Sequence, residues 1–279
     1  MDMYTTVIAS GALAHHNNDP DWVIIDCRYD LADKNAGRNT YMESHIPGAI
    51  YADLHDDLSG PPVTNRGRHP LPTPDAMKQL FSRFGIDGRC QVIAYDGANG
   101  SFAARLWWMM RYMGHEAVAV LDGGWQAWQQ ANSPVRQGLE TRSPVRFQGQ
   151  AWEDWVVTVE NVTAARLLID SRDPARFAGE MEPVDRVAGH IPGATNRFWK
   201  NNLEGNGNFK DSSRLRYEFL ELMGNITPGD SVFYCGSGVT ACHNLLAVSY
   251  AGLAMPRLYA GSWSEWCADP GRPIATGYK

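Results

Sequence analysis

The sequence predicts two tandem α/β units, each a parallel sheet flanked by helices, on three observations: its length, an internal repeat, and short apolar runs alternating with segments of helical spacing. At 279 residues the chain exceeds the usual size of one domain. Ile25-Asp26-Cys27-Arg28 returns as Ile169-Asp170-Ser171-Arg172, and His45-Ile46-Pro47-Gly48-Ala49 returns as His190-Ile191-Pro192-Gly193-Ala194. Leu121-Asp122-Gly123-Gly124-Trp125-Gln126-Ala127-Trp128 has its counterpart in Tyr259-Ala260-Gly261-Ser262-Trp263-Ser264-Glu265-Trp266. Matches that keep one order along the chain make a tandem duplication.

Within each copy, the runs 22–25, 92–95, 167–169 and 231–234 are short and continuously apolar, the pattern of strands buried on both faces of a parallel sheet. In the first copy, run 92–95 leads through Asp96-Gly97-Ala98-Asn99-Gly100 into a predicted helix over 101–112. The second copy repeats this as 231–234, Cys235-Gly236-Ser237-Gly238 and a predicted helix over 239–250. The polar stretch 138–150, with Gly138, Pro144 and Gly149, is the expected linker between domains 1–137 and 151–279.

Composition narrows the function classes. A hydrophobic fraction of 44% against 20% charged residues, with ten Trp and eleven Tyr, is enough to build real cores. A net charge of -6 has the wrong sign for a protein that neutralises phosphates, so nucleic acid is not an expected partner. No apolar run approaches the roughly 20 residues needed to cross a bilayer, and Met1-Asp2-Met3-Tyr4 lacks the start of a signal peptide. The expectation is a cytoplasmic protein without a membrane partner. Five cysteines are too few and too scattered for a disulfide framework, so reduced thiols are expected. None forms a CxxC or a Cys/His cluster with zinc spacing, and no metal or other cofactor is expected.

Superposing the repeats puts Asp96 where the second copy has Cys235, so only one copy keeps a nucleophile. In a Gly-rich turn from strand to helix, successive backbone N–H groups and the positive helix end favour an anion. Gly236, Gly238, Val239 and Thr240 are the candidate backbone donors to a Cys235 thiolate, or to the anionic terminal sulfur of its persulfide. The plain alternative is a cysteine buried as a small hydrophobe. Two glycines within three residues of Cys235 are poorly explained by packing alone. A cysteine phosphatase loop would also present a thiolate here but closes with a phosphate-binding arginine, and Ala241 stands at that position.

The duplicated His-Ile-Pro-Gly-Ala segments and Cys235-Gly236-Ser237-Gly238-Val239-Thr240-Ala241 resemble the tandem rhodanese family, and the loop resembles its 3-mercaptopyruvate sulfurtransferase branch. The resemblance spans roughly residues 5–275. It implies two rhodanese-like domains, an inactive N-terminal one and a catalytic C-terminal one, with the site in the cleft between them. Relatives specialised for thiosulfate carry basic residues just after the cysteine; Gly236 and Ser237 are neutral, so no full positive charge is expected beside the sulfur.

By the same resemblance, Arg176 in Arg176-Phe177-Ala178-Gly179-Glu180 corresponds to the family's first substrate arginine, suited to a bidentate grip on a donor carboxylate. The second follows a Glu-Pro pair, but here Glu182-Pro183 is followed by Val184, and the nearest arginine is Arg186. That shift either still delivers the guanidinium or leaves Arg186 on the surface. Arg68-His69-Pro70-Leu71-Pro72 fits the branch's His-x-Leu-Pro stretch and makes His69 a candidate for proton relay with Ser237. His55 stands where relatives have an acidic residue, so no triad is assigned.

His45 and His190, and likewise Arg28 and Arg172, recur in both copies, including the one without a nucleophile, which favours structural roles. Cys242 and the paired tryptophans are expected in the core. The implied activity is ping-pong transfer of sulfur from a small donor through Cys235 to a thiol acceptor such as thioredoxin or glutathione, or to cyanide. A thiosulfate:cyanide sulfurtransferase and a non-catalytic sulfur-delivery module are the competing readings.

Overall fold

The computed structural model describes residues 3–16 and 19–278. They form two compact units. Unit 1 comprises the chain up to Gly60, Pro72–Trp152 and Gly205–Asn208, and unit 2 comprises Pro61–Leu71, Glu153–Glu204 and the chain from Phe209 on.

Unit 1 contains β1 (Val7–Ile8), α1 (Ser10–Ala14), β2 (Trp22–Asp26), α2 (Ala36–Glu43), β3 (Ile50–Tyr51), α3 (Pro74–Arg83), β4 (Gln91–Tyr95), α4 (Ala103–Tyr112), β5 (Val118–Leu121) and α5 (Gly124–Gln130). Its strands are parallel in the order β1-β5-β4-β2-β3. Every residue of β2, β4 and β5 is buried, which is why these segments read as unbroken apolar runs.

Unit 2 contains β6 (Leu167–Asp170), α6 (Pro174–Ala178), β7 (Ala194–Asn196), α7 (Ser212–Met223), β8 (Ser231–Tyr234), α8 (Ala241–Tyr250), β9 (Arg257–Leu258) and α9 (Ser262–Trp266). Its parallel sheet runs β7-β6-β8-β9. That is the order β3-β2-β4-β5 of unit 1, so the sequence repeat is also a topological one. Where β1 pairs with β5, unit 2 has a lone parallel bridge between Val156 and Leu258.

The repeated Asp-x-Arg segments build the same buried network twice. Arg28 donates to Asp26 at 2.6 Å and to the Ser44 carbonyl at 2.6 Å, and the Tyr95 hydroxyl reaches Asp26 at 2.5 Å. Arg172 donates to Asp170 at 2.7 Å and to the Gly189 carbonyl at 2.6 Å. Each guanidinium lies over a tryptophan, Trp125 and Trp263, at 4.5 and 4.7 Å. His45 and His190 are fully buried, each with Nδ1 at 2.8 Å from a backbone carbonyl, of Tyr41 and Phe177 respectively. Removing one member of such a buried pair leaves an uncompensated charge, at a cost of about 3–5 kcal/mol.

Stretch 138–150, expected as a linker, is part of unit 1. Its Val145 N–H donates to the Ser82 carbonyl, and Phe147 is buried edge-on against Phe81 at 5.0 Å. One well-placed aromatic and a few backbone bonds hold a stretch whose composition looks like loop.

Candidate active site

Cys235 follows β8 directly and is 2% exposed. The strand end is fastened to α9: the Cys235 N–H donates to Ser262 Oγ at 3.1 Å, while the Cys235 and Gly236 carbonyls accept from the N–H groups of Trp263 (3.0 Å) and Ser264 (2.9 Å). Gly238 has a φ of 76°, and a Cβ there would run into the Ala260 carbonyl, so the turn requires glycine. Gly236, Ser237, Gly238 and Val239 are buried and Thr240 is half-buried. Among the described residues, no acceptor is found for the N–H groups of Gly236, Ser237, Val239 or Thr240.

Unit 1 shows what this kind of turn holds. Asp96, fully buried after β4, accepts from the N–H groups of Ala98 (2.7 Å), Gly100 (2.9 Å), Phe102 (2.8 Å) and Ala103 (2.8 Å). Burial raises its carboxyl above the ordinary value while the four N–H groups pull it back down. Helix α4 begins at Ala103 and α8 at Ala241, each two residues past the start that the spacing predicts, because both turns run on through the Gly-rich segment before the helix closes.

His69 belongs to unit 2 through the segment Pro61–Leu71. Gly67, at φ 83°, passes so close to Gly261 that a Cβ would sit 2.7 Å from its carbonyl oxygen, and the Arg68 N–H donates to Ser264 Oγ at 3.1 Å. These contacts bring His69 Nδ1 within 2.8 Å of Ser237 Oγ, with both side chains 7% exposed.

Arg176 lies on α6, which Asp173 caps by accepting from the Ala175 N–H at 2.9 Å. Glu182 accepts from Arg176 Nε at 3.1 Å and Nη2 at 2.6 Å, and from Arg172 Nη1 at 3.2 Å. Asp185 accepts from Arg176 Nη2 at 3.1 Å and also pairs with Arg68. Arg186 is exposed. Its N–H points to Cys267, partly offsetting the burial that raises that thiol.

The guanidiniums nearest to Gly236 are those of Arg68, with Nη2 3.0 Å from where a Cβ would stand, and Arg176, at 3.6 and 3.7 Å. The expectation of no positive charge beside the loop is therefore corrected. The neutral loop takes its cations from two other segments, and Arg68 was passed over because its neighbour His69 carried the motif. Cys242 donates its thiol to the Gly238 carbonyl at 3.4 Å and is fully buried. All five cysteines are buried and none forms a disulfide. Among the described residues, no cluster of three His, Cys, Asp or Glu fit to hold a metal occurs, and no helix is long and apolar enough to cross a membrane.

The rhodanese-like domain family matches twice, over residues 10–131 and 158–269. The chain belongs to the rhodanese family. The two matches coincide with the two copies of the sheet. Similar family members include a probable 3-mercaptopyruvate sulfurtransferase of Pseudomonas aeruginosa, 43% identical over 97% of this chain and 98% of that one. The 3-mercaptopyruvate sulfurtransferase of Escherichia coli is 34% identical over 97% of this chain and 98% of its own length. A putative thiosulfate sulfurtransferase of Mycobacterium tuberculosis is 36% identical over 91% and 90%. Among solved rhodanese folds, the E. coli 3-mercaptopyruvate enzyme superposes with a TM-score of 0.79 at 31% identity, covering 94% of this chain and all of that one. The Leishmania major 3-mercaptopyruvate sulfurtransferase does so with 0.83 at 31% identity, covering 94% and 74%.

Proposed function

We propose that the protein is a 3-mercaptopyruvate sulfurtransferase in which Cys235 is the sulfur carrier. The observation that carries this reading is the hydrogen bond between Ser237 and His69 on the same turn as a buried cysteine, beside a guanidinium suited to a carboxylate. The Cys235 thiolate attacks the donor sulfur, the carbon–sulfur bond breaks, and its electron pair leaves as the enolate of pyruvate. Ser237 and His69 take up the proton of the donor thiol and deliver it to that enolate carbon, giving pyruvate. The persulfide formed has an anionic terminal sulfur, which the N–H groups of Gly236, Gly238, Val239 and Thr240 stabilise. An acceptor thiolate or cyanide then takes that sulfur and regenerates the Cys235 thiolate. Thioredoxin, glutathione and cyanide all fit this second half-reaction. Five cysteines without a disulfide suit a reducing compartment, and we place the reaction in the cytoplasm.

The second reading, thiosulfate as donor, is favoured by the two guanidiniums beside Gly236, which suit a dianion as well as a carboxylate. Incubation with 3-mercaptopyruvate should release pyruvate and add the mass of one sulfur atom to Cys235, and Cys235→Ser should do neither. A kcat/KM higher for thiosulfate than for 3-mercaptopyruvate would overturn the donor assignment; turnover surviving in Cys235→Ser would overturn the mechanism.

A further inference from the structure

We propose that Arg68 is a donor-binding residue that, together with Arg176, grips the carboxylate of the sulfur donor beside Cys235. The inference deepens the reading of the protein as a mercaptopyruvate sulfurtransferase and rests on it. Three independent features converge on Arg68.

The first is position. Arg68 Nη2 is the side-chain atom nearest to where a Cβ on Gly236, the residue that follows the nucleophile, would stand, and Arg176 Nη2 and Nη1 come next. The second is orientation. Asp185 is 4% exposed and spans the two guanidiniums, one oxygen toward each, while Glu182 takes Nε and Nη2 of Arg176. Those two carboxylates occupy Nη1 of Arg68 and leave Nη2 of Arg68 and Nη1 of Arg176 toward Gly236. The third is a fixed backbone. The close approach of Gly67 to Gly261 and the bond from Arg68 N–H to Ser264 Oγ anchor the main chain on the element that also fastens Cys235.

Charge fits the assignment. Arg68, Arg172 and Arg176 face Asp170, Glu182 and Asp185, so the cluster is balanced before any ligand arrives. Burial holds the Arg68 guanidinium below its ordinary value, Cys235 opposes that, and the like charge of Arg176 adds to it. A ligand carboxylate beside Gly236 gains charge-assisted hydrogen bonds from Arg68 Nη2 and Arg176 Nη1, the groups that Asp185 and Glu182 do not take. Arg186, the sequence candidate for a second arginine, is exposed, and Arg68 stands where that candidate was sought.

The test compares a donor that has a carboxylate with one that lacks it. Arg68→Ala and Arg68→Lys are assayed with 3-mercaptopyruvate and with mercaptoacetone, a neutral donor in which a methyl group replaces the carboxylate and whose carbon–sulfur bond breaks to release acetone. In Arg68→Ala the KM for 3-mercaptopyruvate should rise about tenfold or more with kcat within about threefold, and Arg68→Lys should lose less. The loss in kcat/KM with mercaptoacetone should be at least about fivefold smaller than with 3-mercaptopyruvate, a split that a general disturbance of His69 or of the fold would not produce. An unchanged KM in Arg68→Ala, or an equal loss with both donors, overturns the role of Arg68 alone. A wild-type protein whose Cys235 loads sulfur from inorganic polysulfide but which releases no pyruvate from 3-mercaptopyruvate overturns the donor reading and the carboxylate grip with it.

Discussion

The turns after β4 and β8 are the same device with opposite contents. After β4, Asp96 folds its own carboxylate into the turn and satisfies four N–H groups. After β8, Cys235 is too short and too weak an acceptor to do this, and the N–H groups of Gly236, Ser237, Val239 and Thr240 find no acceptor among the described residues. A buried unsatisfied donor costs about 1–3 kcal/mol, so such a turn is retained where an anion arrives to use it. One copy of the duplication thus fills the turn with its own carboxylate, and the other leaves it open for the chemistry proposed above.

The sharpest way to break this comparison is to exchange the contents. Cys235→Ser removes the carrier and almost no volume, so turnover with every donor should vanish while the fold remains. Cys235→Asp should be equally inactive and no less stable, because a carboxylate can collect the N–H groups as Asp96 does. Thermal unfolding of the two variants, measured with the sulfur-loading assay, checks both halves. A Cys235→Asp protein that unfolds far below Cys235→Ser would show that the two turns do not share a geometry.

The converse change follows in size. Asp96→Ala strands four N–H groups, two of them buried and two part-buried, and at about 1–3 kcal/mol for each buried donor, with water relieving the others, the loss should reach several kcal/mol. Chemical denaturation should register that loss, while kcat of the remaining folded protein should stay near wild type because Asp96 lies in unit 1. A stable Asp96→Ala variant would mean that the carboxylate does not hold its turn together.

A smaller effect is expected where the two copies differ by one hydroxyl. Gly124 and Ser262 occupy equivalent positions as the first residues of α5 and α9, with left-handed φ values of 55° and 57°. Serine at such a φ is strained by roughly 1–2 kcal/mol. Its Oγ accepts from the Cys235 N–H at 3.1 Å and donates to the Tyr259 carbonyl at 2.9 Å. Ser262→Gly should leave stability within about 1 kcal/mol, strain relief offsetting the lost bonds. It should lower kcat by a few-fold, since the nucleophile loses a fixed hydrogen bond. Steady-state kinetics with unchanged kcat would make the serine a packing residue only.

The repeats, the strand runs and the cysteine turn were legible because each is local: a motif, a periodicity or a Gly-rich turn states itself within about ten residues. What surrounds the turn was not. Arg68 and His69 come from the first half of the chain yet pack in unit 2, and nothing around Cys235 announces them. The family motif pointed to His69, whereas Arg68 had no pattern to mark it. The polar stretch 138–150 carries no helix or strand, as its composition predicts, but composition is blind to the one buried Phe147 that packs it into unit 1.

Arg186 gives the smallest expected effect and tests how far position in the chain stands in for position in space. It follows Asp185, whose carboxylate orients both Arg68 and Arg176, so the two neighbours share a loop but not a direction. Its side chain is exposed, and its backbone N–H, which any substitution except proline preserves, is the group that reaches Cys267. Arg186→Ala should therefore leave kcat and KM for 3-mercaptopyruvate within about twofold of wild type and stability within about 0.5 kcal/mol, the usual range for a surface change. Measured beside Arg176→Ala, for which the lost charge-assisted bonds predict a fall in kcat/KM of about tenfold or more, the contrast is direct. Equal losses at the two positions would place Arg186 at the donor after all and leave Arg68 without the task assigned to it.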